Sequence, residues 1–174
     1  MPFTPFHFGP GLALKAAAPR RISFAAFAAA NVLIDFESLY HLVRGDYPVH
    51  GPAHSLLGAT TLGLGAGAAT FLIGRGLSRL LAPGASRRLA VLPSMLRVEI
   101  APLAALLGGS LGGASHPILD AIVHRDVLPF APWSPANPLL GALGPGTLAA
   151  VLAGTGLLGA AAIALRLWVS RRAG

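Results

Sequence analysis

The sequence contains no cysteine, which excludes disulfide bonds, thiolate metal ligands and cysteine nucleophiles. Charge is also scarce, because Asp, Glu, Lys and Arg make up only 11% of the 174 residues, against about 25% in a typical soluble domain. So few charges cannot cover the surface of a soluble domain, and a hydrophobic content of 54% excludes intrinsic disorder. Together with a mean hydropathy of +0.68, these deficits favour a single-domain integral membrane protein.

The charge that is present is mostly positive, with a net charge of +7 carried by twelve arginines and one lysine. These residues flank apolar segments and form no continuous basic stripe, so we expect no nucleic-acid partner. In a four-span arrangement, the basic clusters at residues 15–21, 75–97 and 166–172 fall on one side of the membrane. We therefore predict both termini in the cytoplasm, with residues 44–52 and 125–146 facing outwards.

Four segments are long and apolar enough to cross a bilayer as helices, which takes about 20 residues. They are residues 22–43, 53–74, 100–124 and 147–169. The third is interrupted by two glycines at 112–113 and by Pro117, where we expect a kink or a break. The short segment 9–18 predicts a re-entrant or interfacial helix. The expected fold is thus an all-α polytopic membrane protein with four transmembrane helices and a short N-terminal helix.

Ionisable residues would lie at one depth, at the outer ends of three of these spans. They are Asp35, Glu37, His50, His54, His116 and Asp120. A carboxylate inside a bilayer costs at least ~2.5 kcal/mol, so such groups generally face the bundle interior and serve a function there. His116 and Asp120 are four residues apart and share a helix face. We expect the remaining polar residues near these ends, among them His41, His124, Asp46 and Asp126, to be interfacial or loop residues, and Glu99 to pair with Arg97.

Imidazoles and carboxylates are the ligands of zinc and other divalent transition ions, so this group is a candidate metal site. Asp35 shares a helix face with Asn31 and Ser38, and we rank it as a ligand. Glu37 lies two residues further on and faces elsewhere, where it pairs better with His41 or acts as a general base. A bound ion would keep the aspartates ionised in an apolar place and lower the pKa of a bound water to ~7.

Four sequence blocks carry a family resemblance. They read Thr-Pro-Phe-His-Phe at 4–8, Val-Leu-Ile-Asp-Phe-Glu at 32–37, His-Gly-Pro-Ala-His-Ser-Leu-Leu at 50–57, and Ser-His-Pro-Ile-Leu-Asp at 115–120, followed by the aromatic, proline-rich stretch 128–133. In these blocks the chain resembles the YdjM-like family of membrane-bound metal-dependent hydrolases and related bacterial membrane protein families. The resemblance implies a bacterial inner-membrane protein with a metal site. Its metal-site positions would be His7, Asp35, His50, His54, His116 and Asp120.

The chain departs from the family pattern in two of the blocks. The second block of the family often reads Pro-Asp-x-Asp-His, where this chain has Ile34, Glu37 and Ser38 in place of the proline, the second aspartate and the histidine. The third block usually reads His-Arg-Gly-x-x-His and is here one residue shorter, without the arginine. The resemblance therefore says more about the site than about the substrate.

Residues and resemblance together predict a hydrolase in which a metal-activated water attacks an ester or phosphoester. A lipid or lipid-linked substrate is expected, since membrane lipids would surround the site. His54, His116, Asp120 and Asp35 would hold the ion, which we expect to be zinc, with manganese or iron as alternatives. Glu37 and Asp35 are the candidate catalytic side chains. His7 starts on the cytoplasmic side of this topology. Either a re-entrant helix rising ~15 Å carries it to the site, or the N-terminus lies outside and crosses by a less regular path.

Three other functions use the same residues. Metal-ion transport or a proton relay needs intramembrane ionisable groups but no covalent chemistry, and the interrupted third span suits it. Haem ligation by paired histidines ranks lower, because neighbouring aspartates suit a divalent ion better than a porphyrin edge. A purely structural polar network would leave the histidines independent of one another and of metal.

Overall fold

The computed structural model describes residues 4–80 and 97–172 of the chain. Over these two ranges it contains five α-helices and no strands. The helices are α1 (Thr4–Ala17), α2 (Phe24–Arg44), α3 (Leu56–Leu80), α4 (Pro102–Val123) and α5 (Pro145–Arg172), with a short 3-10 helix (Pro52–His54) just before α3. The prediction of an all-α chain is confirmed for the described residues. Arg87 and Arg88, which belong to the second basic cluster, lie outside them.

Helix α4 is the central element, and its small residues let the neighbouring helices approach closely. A Cβ atom added to Gly109 would collide with the carbonyl of Gly63 on α3, and one added to Gly112 would collide with the backbone of Phe27 on α2. Such small-residue contacts allow backbones to pack where side chains would hold them apart. The glycines of α4 are therefore contact points. A kink or a break was expected at 112–113 and Pro117. There is no break, since α4 runs without interruption from Pro102 to Val123.

The contacts between helices fix their directions. Gly63 meets Gly109 and Gly67 meets Ala105, so α3 is antiparallel to α4. Ser23 donates its backbone N–H to the carbonyl of Ala104, and Phe27 lies beside Gly112, so α2 is parallel to α4. Consequently α2 and α4 begin, and α3 ends, at one end of the bundle.

Helix α1 packs against α5 and α2, and it runs parallel to α5, since Gly9 faces Leu152 while Ala13 faces Gly159. At the far end of α1, Lys15 bonds the carbonyl of Ile22 at 2.8 Å and pairs with Glu99. Glu99 was expected to pair with Arg97; its carboxylate also accepts the backbone N–H of Ala25 at 2.8 Å. This ion pair, in which Lys15 is buried and Glu99 is partly exposed, connects the end of α1 to the beginning of α2.

These directions divide the described bundle into two ends. We call one the basic end, because it carries Lys15, Arg20, Arg21, Arg75, Arg79, Arg97, Arg166, Arg171 and Arg172. The other is the loop end, where segments 45–51 and 124–144 connect the helices. Helix α1 starts at the loop end and α5 stops at the basic end. The placement of both termini in the cytoplasm stays a prediction, and the opposite positions of Thr4 and Arg172 count against it.

Of the described helices, α3 and α5 are long and apolar enough to cross a membrane, with mean hydropathy of 1.7 and 2.1 over their most apolar windows. Helices α2 and α4 overlap the other two predicted spans without meeting that standard. Their composition explains this, because α2 carries Asp35 and Glu37 while α4 is rich in glycine and carries His116, Pro117 and Asp120. Two candidate spans are thus established by length and composition.

Candidate metal centre

Four predicted ligands come together where α2, the 3-10 helix and α4 meet. Asp35, His54, His116 and Asp120 each offer one ligand atom, and within the described ranges these atoms all lie within 4.8 Å of one another. We call this group the first cluster. His116 Nε2 lies 3.1 Å from Asp120 Oδ2 and 3.3 Å from Asp35 Oδ1. His54 Nε2 lies 3.8 Å from Asp120 Oδ2 and 4.0 Å from Asp35 Oδ1. The cluster could hold a metal ion.

Three of the four residues of the first cluster are buried, and the cluster is accessible to solvent or substrate at Asp35. His54, His116 and Asp120 are buried, whereas the side chain of Asp35 is 28% exposed. His116 Nε2 and Asp120 Oδ1 are buried atoms whose near contacts, 3.1 Å to Asp120 Oδ2 and 3.2 Å to His7 Nε2, do not have hydrogen-bonding geometry within the described chain. Burying a polar group without a partner is costly, and burying a charge without compensation costs more. A cation held between these atoms would remove both penalties.

The ring of His116 is oriented by Asn31, a residue that was not predicted to belong to the site. His116 Nδ1 lies 2.9 Å from Asn31 Oδ1, and the Asn31 amide is fixed in turn because its Nδ2 donates to the carbonyl of Phe27 at 2.9 Å. With Nδ1 donating to this oxygen, Nε2 presents its lone pair to the cluster, as in most metal-bound histidines. The available signal was the position of Asn31 one helical turn before Asp35.

The ring of His54 is oriented by Glu37. His54 Nδ1 lies 3.1 Å from Glu37 Oε2, and the same carboxylate accepts the backbone N–H groups of Gly51 at 3.0 Å and Ala53 at 3.1 Å. The expected partner of Glu37, His41, lies 3.4 Å from Asp46 instead. The turn at 51–53 brings these N–H groups across the end of α2, which the helical spacing within α2 could not reveal. Glu37 therefore positions His54 and fastens the turn.

His7 reaches the first cluster from α1 and lies beside it. Its Nε2 is 3.2 Å from Asp120 Oδ1, and its ring stacks on His116 with centroids 4.4 Å apart and planes inclined by 19°. The side chain is buried, and neither ring nitrogen finds a hydrogen-bond partner in the part of the chain that is described. Helix α1 starts at the loop end and runs towards the basic end, so His7 in its first turn already lies near the site. A helix that rises from the opposite side is not needed.

His50 lies next to the first cluster, but it also contacts His124 and Asp126, which do not belong to that cluster. Its ring centroid is 4.7 Å from that of His54 and 4.5 Å from that of His124, and its Nδ1 lies 3.0 Å from Asp126 Oδ2. His50, His124 and Asp126 form a second group of ligand-type residues whose atoms lie within 4.8 Å of one another. We call it the second cluster. We expected His124 to be an interfacial residue and Asp126 to be a loop residue. The missed signal was the four-residue step from Asp120 to His124.

Asp126 lies outside the predicted spans, in the loop after α4. Burial would raise its pKa, but the neighbouring His50 imidazole and a backbone N–H group hold the pKa of this carboxyl below its ordinary value. Asp126 is therefore an ionised, acceptor-only group at neutral pH. It lies where it can bind a cation or brace the loop at 49–50.

Comparison of the chain with protein-family models, with curated proteins and with solved structures finds no match. The resemblance to the YdjM-like hydrolases thus rests on the four sequence blocks and stays a prediction. The histidines and acidic residues of those blocks all belong to the two clusters or contact them.

Proposed function

We propose that the protein is a membrane-embedded, metal-dependent hydrolase of ester or phosphoester bonds. The observation that carries this proposal is the convergence of Asp35, His54, His116 and Asp120 from three elements. Two of their buried atoms, His116 Nε2 and Asp120 Oδ1, have no contact with hydrogen-bonding geometry within the described chain. Hydrogen bonds to Asn31 and Glu37 additionally orient both imidazoles. A polar network that served only packing would be expected to satisfy its own buried atoms.

The donor set fits a divalent transition ion. Two imidazoles and two carboxylates match the ligand preferences of zinc, with manganese and iron as alternatives. The carboxylates of Asp35, Asp120 and Glu37 also bring negative charge into a mostly buried place, which a divalent cation would compensate. When bound, such an ion supplies Lewis acidity and stabilises the negative charge that develops on a hydrolysed ester.

The two catalytic candidates have different roles in this proposal. Glu37 accepts hydrogen bonds on both oxygens, from the turn and from His54, so we assign it to positioning His54. Asp35 lies at the open edge of the first cluster, where a substrate can approach. We therefore assign to Asp35 the proton taken from water during hydrolysis, in addition to its place among the ligands.

The surface next to Asp35 favours a lipid-like substrate. Large apolar side chains are exposed along α2 on both sides of Asp35; they are Val32, Leu33, Phe36, Leu39, Tyr40 and Val43. In this proposal α2 and α4 complete a four-span bundle with α3 and α5, and the basic end faces the cytoplasm. An acyl chain lying against α2 would then present its ester or phosphoester headgroup at the depth of Asp35.

Metal content and turnover test this proposal together. Elemental mass spectrometry on detergent-purified protein should find bound zinc, manganese or iron that is reduced in His54→Ala and in Asp120→Ala. The matched control is His41→Ala, which alters an exposed histidine paired with Asp46. Wild type should hydrolyse at least one of a phosphomonoester, a phospholipid and a carboxylic ester, and Asp120→Ala should not. Metal-free wild type after reconstitution would contradict the proposal, as would turnover that survives in Asp120→Ala.

A proton relay is the second candidate, and the row of imidazoles favours it. Ring centroids follow one another at 4.5 Å from His124 to His50, 4.7 Å to His54, 5.2 Å to His116 and 4.4 Å to His7. Imidazoles are well suited to proton transfer near neutral pH. Reconstituted vesicles carrying a pH-sensitive dye distinguish the two functions, since a relay gives a proton flux that His116→Ala abolishes, without turnover of any ester.

A further inference from the structure

The second cluster is separate from the ligands used so far and has its own composition. It contains two imidazoles and one carboxylate, contributed by the loop before the 3-10 helix and by the end of α4. Three protein ligands of this kind, with further positions left open, are typical of catalytic zinc and non-haem iron sites. We propose that His50, His124 and Asp126 form a second divalent-metal site that adjoins the first cluster.

Unpartnered nitrogen atoms point to a ligand at this place. His50 Nδ1 and His124 Nε2 are buried atoms without a hydrogen-bond partner among the described residues. The side chain of His50 is 9% exposed. Its Nδ1 lies 3.0 Å from Asp126 Oδ2 but not in hydrogen-bonding geometry. A nitrogen and a carboxylate oxygen that face each other in this way have the arrangement of two ligands that share a cation.

The three ligands are held in place by backbone contacts. Asp126 Oδ2 accepts the N–H groups of Val49 at 3.0 Å and His50 at 3.2 Å, which ties the loop before the 3-10 helix to the end of α4. The side-chain amide of Asn137 donates to the carbonyl of His124 at 3.2 Å and secures that end of α4. The site is therefore preorganised, because little of its backbone needs to move when an ion binds.

The two clusters adjoin because the rings of His50 and His54 are in contact. Ions at neighbouring sites can act on the same substrate, as in two-metal phosphatases and aminopeptidases. The inference nevertheless goes beyond the proposed hydrolase function, since a second ion can be counted whether or not the protein turns over a substrate. The competing explanation is that Asp126 only braces the loop at 49–50.

The test is the number of metal ions bound per chain. Protein comprising residues 1–174 in detergent is reconstituted separately with zinc and with manganese, freed of excess metal, and analysed by elemental mass spectrometry. Wild type should hold two ions per chain of at least one of these metals. His124→Ala should then lose one of the two and Asp126→Asn should lose one, whereas His41→Ala and Asp46→Asn should lose none. The last two variants alter an exposed imidazole–carboxylate pair of the same chemistry.

The outcomes separate this inference from the proposed function. One ion per chain, lost in His54→Ala but kept in His124→Ala, would overturn the second site and leave the first intact. One ion that is lost in His124→Ala but kept in His54→Ala would support the site at His50, His124 and Asp126 and contradict an ion in the first cluster. His124 is only partly buried, so its truncation should not prevent folding. Wild type that binds no ion overturns the inference even if a variant misfolds.

Discussion

Replacing Asn31 tests whether His116 is a metal ligand, because Asn31 contacts the ring from the side away from the other ligands. Asn31→Leu keeps the approximate size of the side chain and removes the oxygen that lies 2.9 Å from His116 Nδ1. Both residues are fully buried, so water cannot replace the lost acceptor. The ring then loses its fixed orientation, and a buried N–H group is left without a partner.

These two effects lower the metal affinity and the free energy of unfolding, respectively. Removing the group that orients a metal-bound histidine lowers metal affinity about 10–100-fold, equivalent to about 1.4–2.7 kcal/mol. An unpaired buried donor lowers the free energy of unfolding of the metal-free protein by about 1–3 kcal/mol. Asn31→Asp keeps an acceptor at the same place, so its metal affinity should stay within a few-fold of wild type.

Competition against a chromophoric chelator measures the affinity, and thermal unfolding of the metal-free protein measures the stability. Ser110→Ala is the control, because Ser110 lies on the exposed side of α4 and bonds only its own helix at the Leu106 carbonyl. If Asn31→Leu lowers the stability but leaves the metal affinity unchanged, His116 is not a ligand and Asn31 serves packing alone.

Three further predictions concern packing, charge and metal. Gly109→Ala should lower the free energy of unfolding by about 1–3 kcal/mol, because its Cβ would collide with the Gly63 carbonyl. Gly65→Ala is the control, since its Cβ faces open space and should not destabilise the protein. Circular dichroism during heating measures both. Lys15→Met removes the buried partner of the partly exposed Glu99 and should cost about 1–3 kcal/mol in the same assay, more than exposed Arg75→Met. Removing the metal with a chelator should lower Tm. The stabilisation lost is about 2.7 kcal/mol if the free metal had been at 100 times Kd. An unchanged Tm would contradict a bound ion.

Helical spacing predicted part of the site correctly. The step of four residues from His116 to Asp120 places both on one face of α4, and the observed cluster includes both. Apolar length likewise predicted the helical segments that became α2, α3, α4 and α5. These features depend on neighbours along the chain, and periodicity reports such neighbours directly.

The features that were missed depend on how loops fold across helix ends. Asp126 meets His50 only because the loop at 49–50 closes on the end of α4, 76 positions away along the chain. No spacing rule reports such a contact. The direction of α1 was left open for a similar reason, since an apolar segment of this length predicts a helix but not which of its ends lies near Asp120. The continuity of α4 through 112–113 depends on the neighbours that press against its glycines.

The glycines of α4 also determine how the metal centre can move. Because Gly108 and Gly112 rest on the backbone of α2, and Gly109 and Gly113 on that of α3, the spacing between these helices is set by main chain against main chain. Main-chain contacts have no rotamers to change, so the helices have little freedom to slide or separate. Binding and release of an ion should then be accommodated by side-chain rotations at Asp35 and by the loop that carries His50, while the bundle remains a stiff frame. Any side chain larger than hydrogen at these four positions would widen that frame and move the ligands apart.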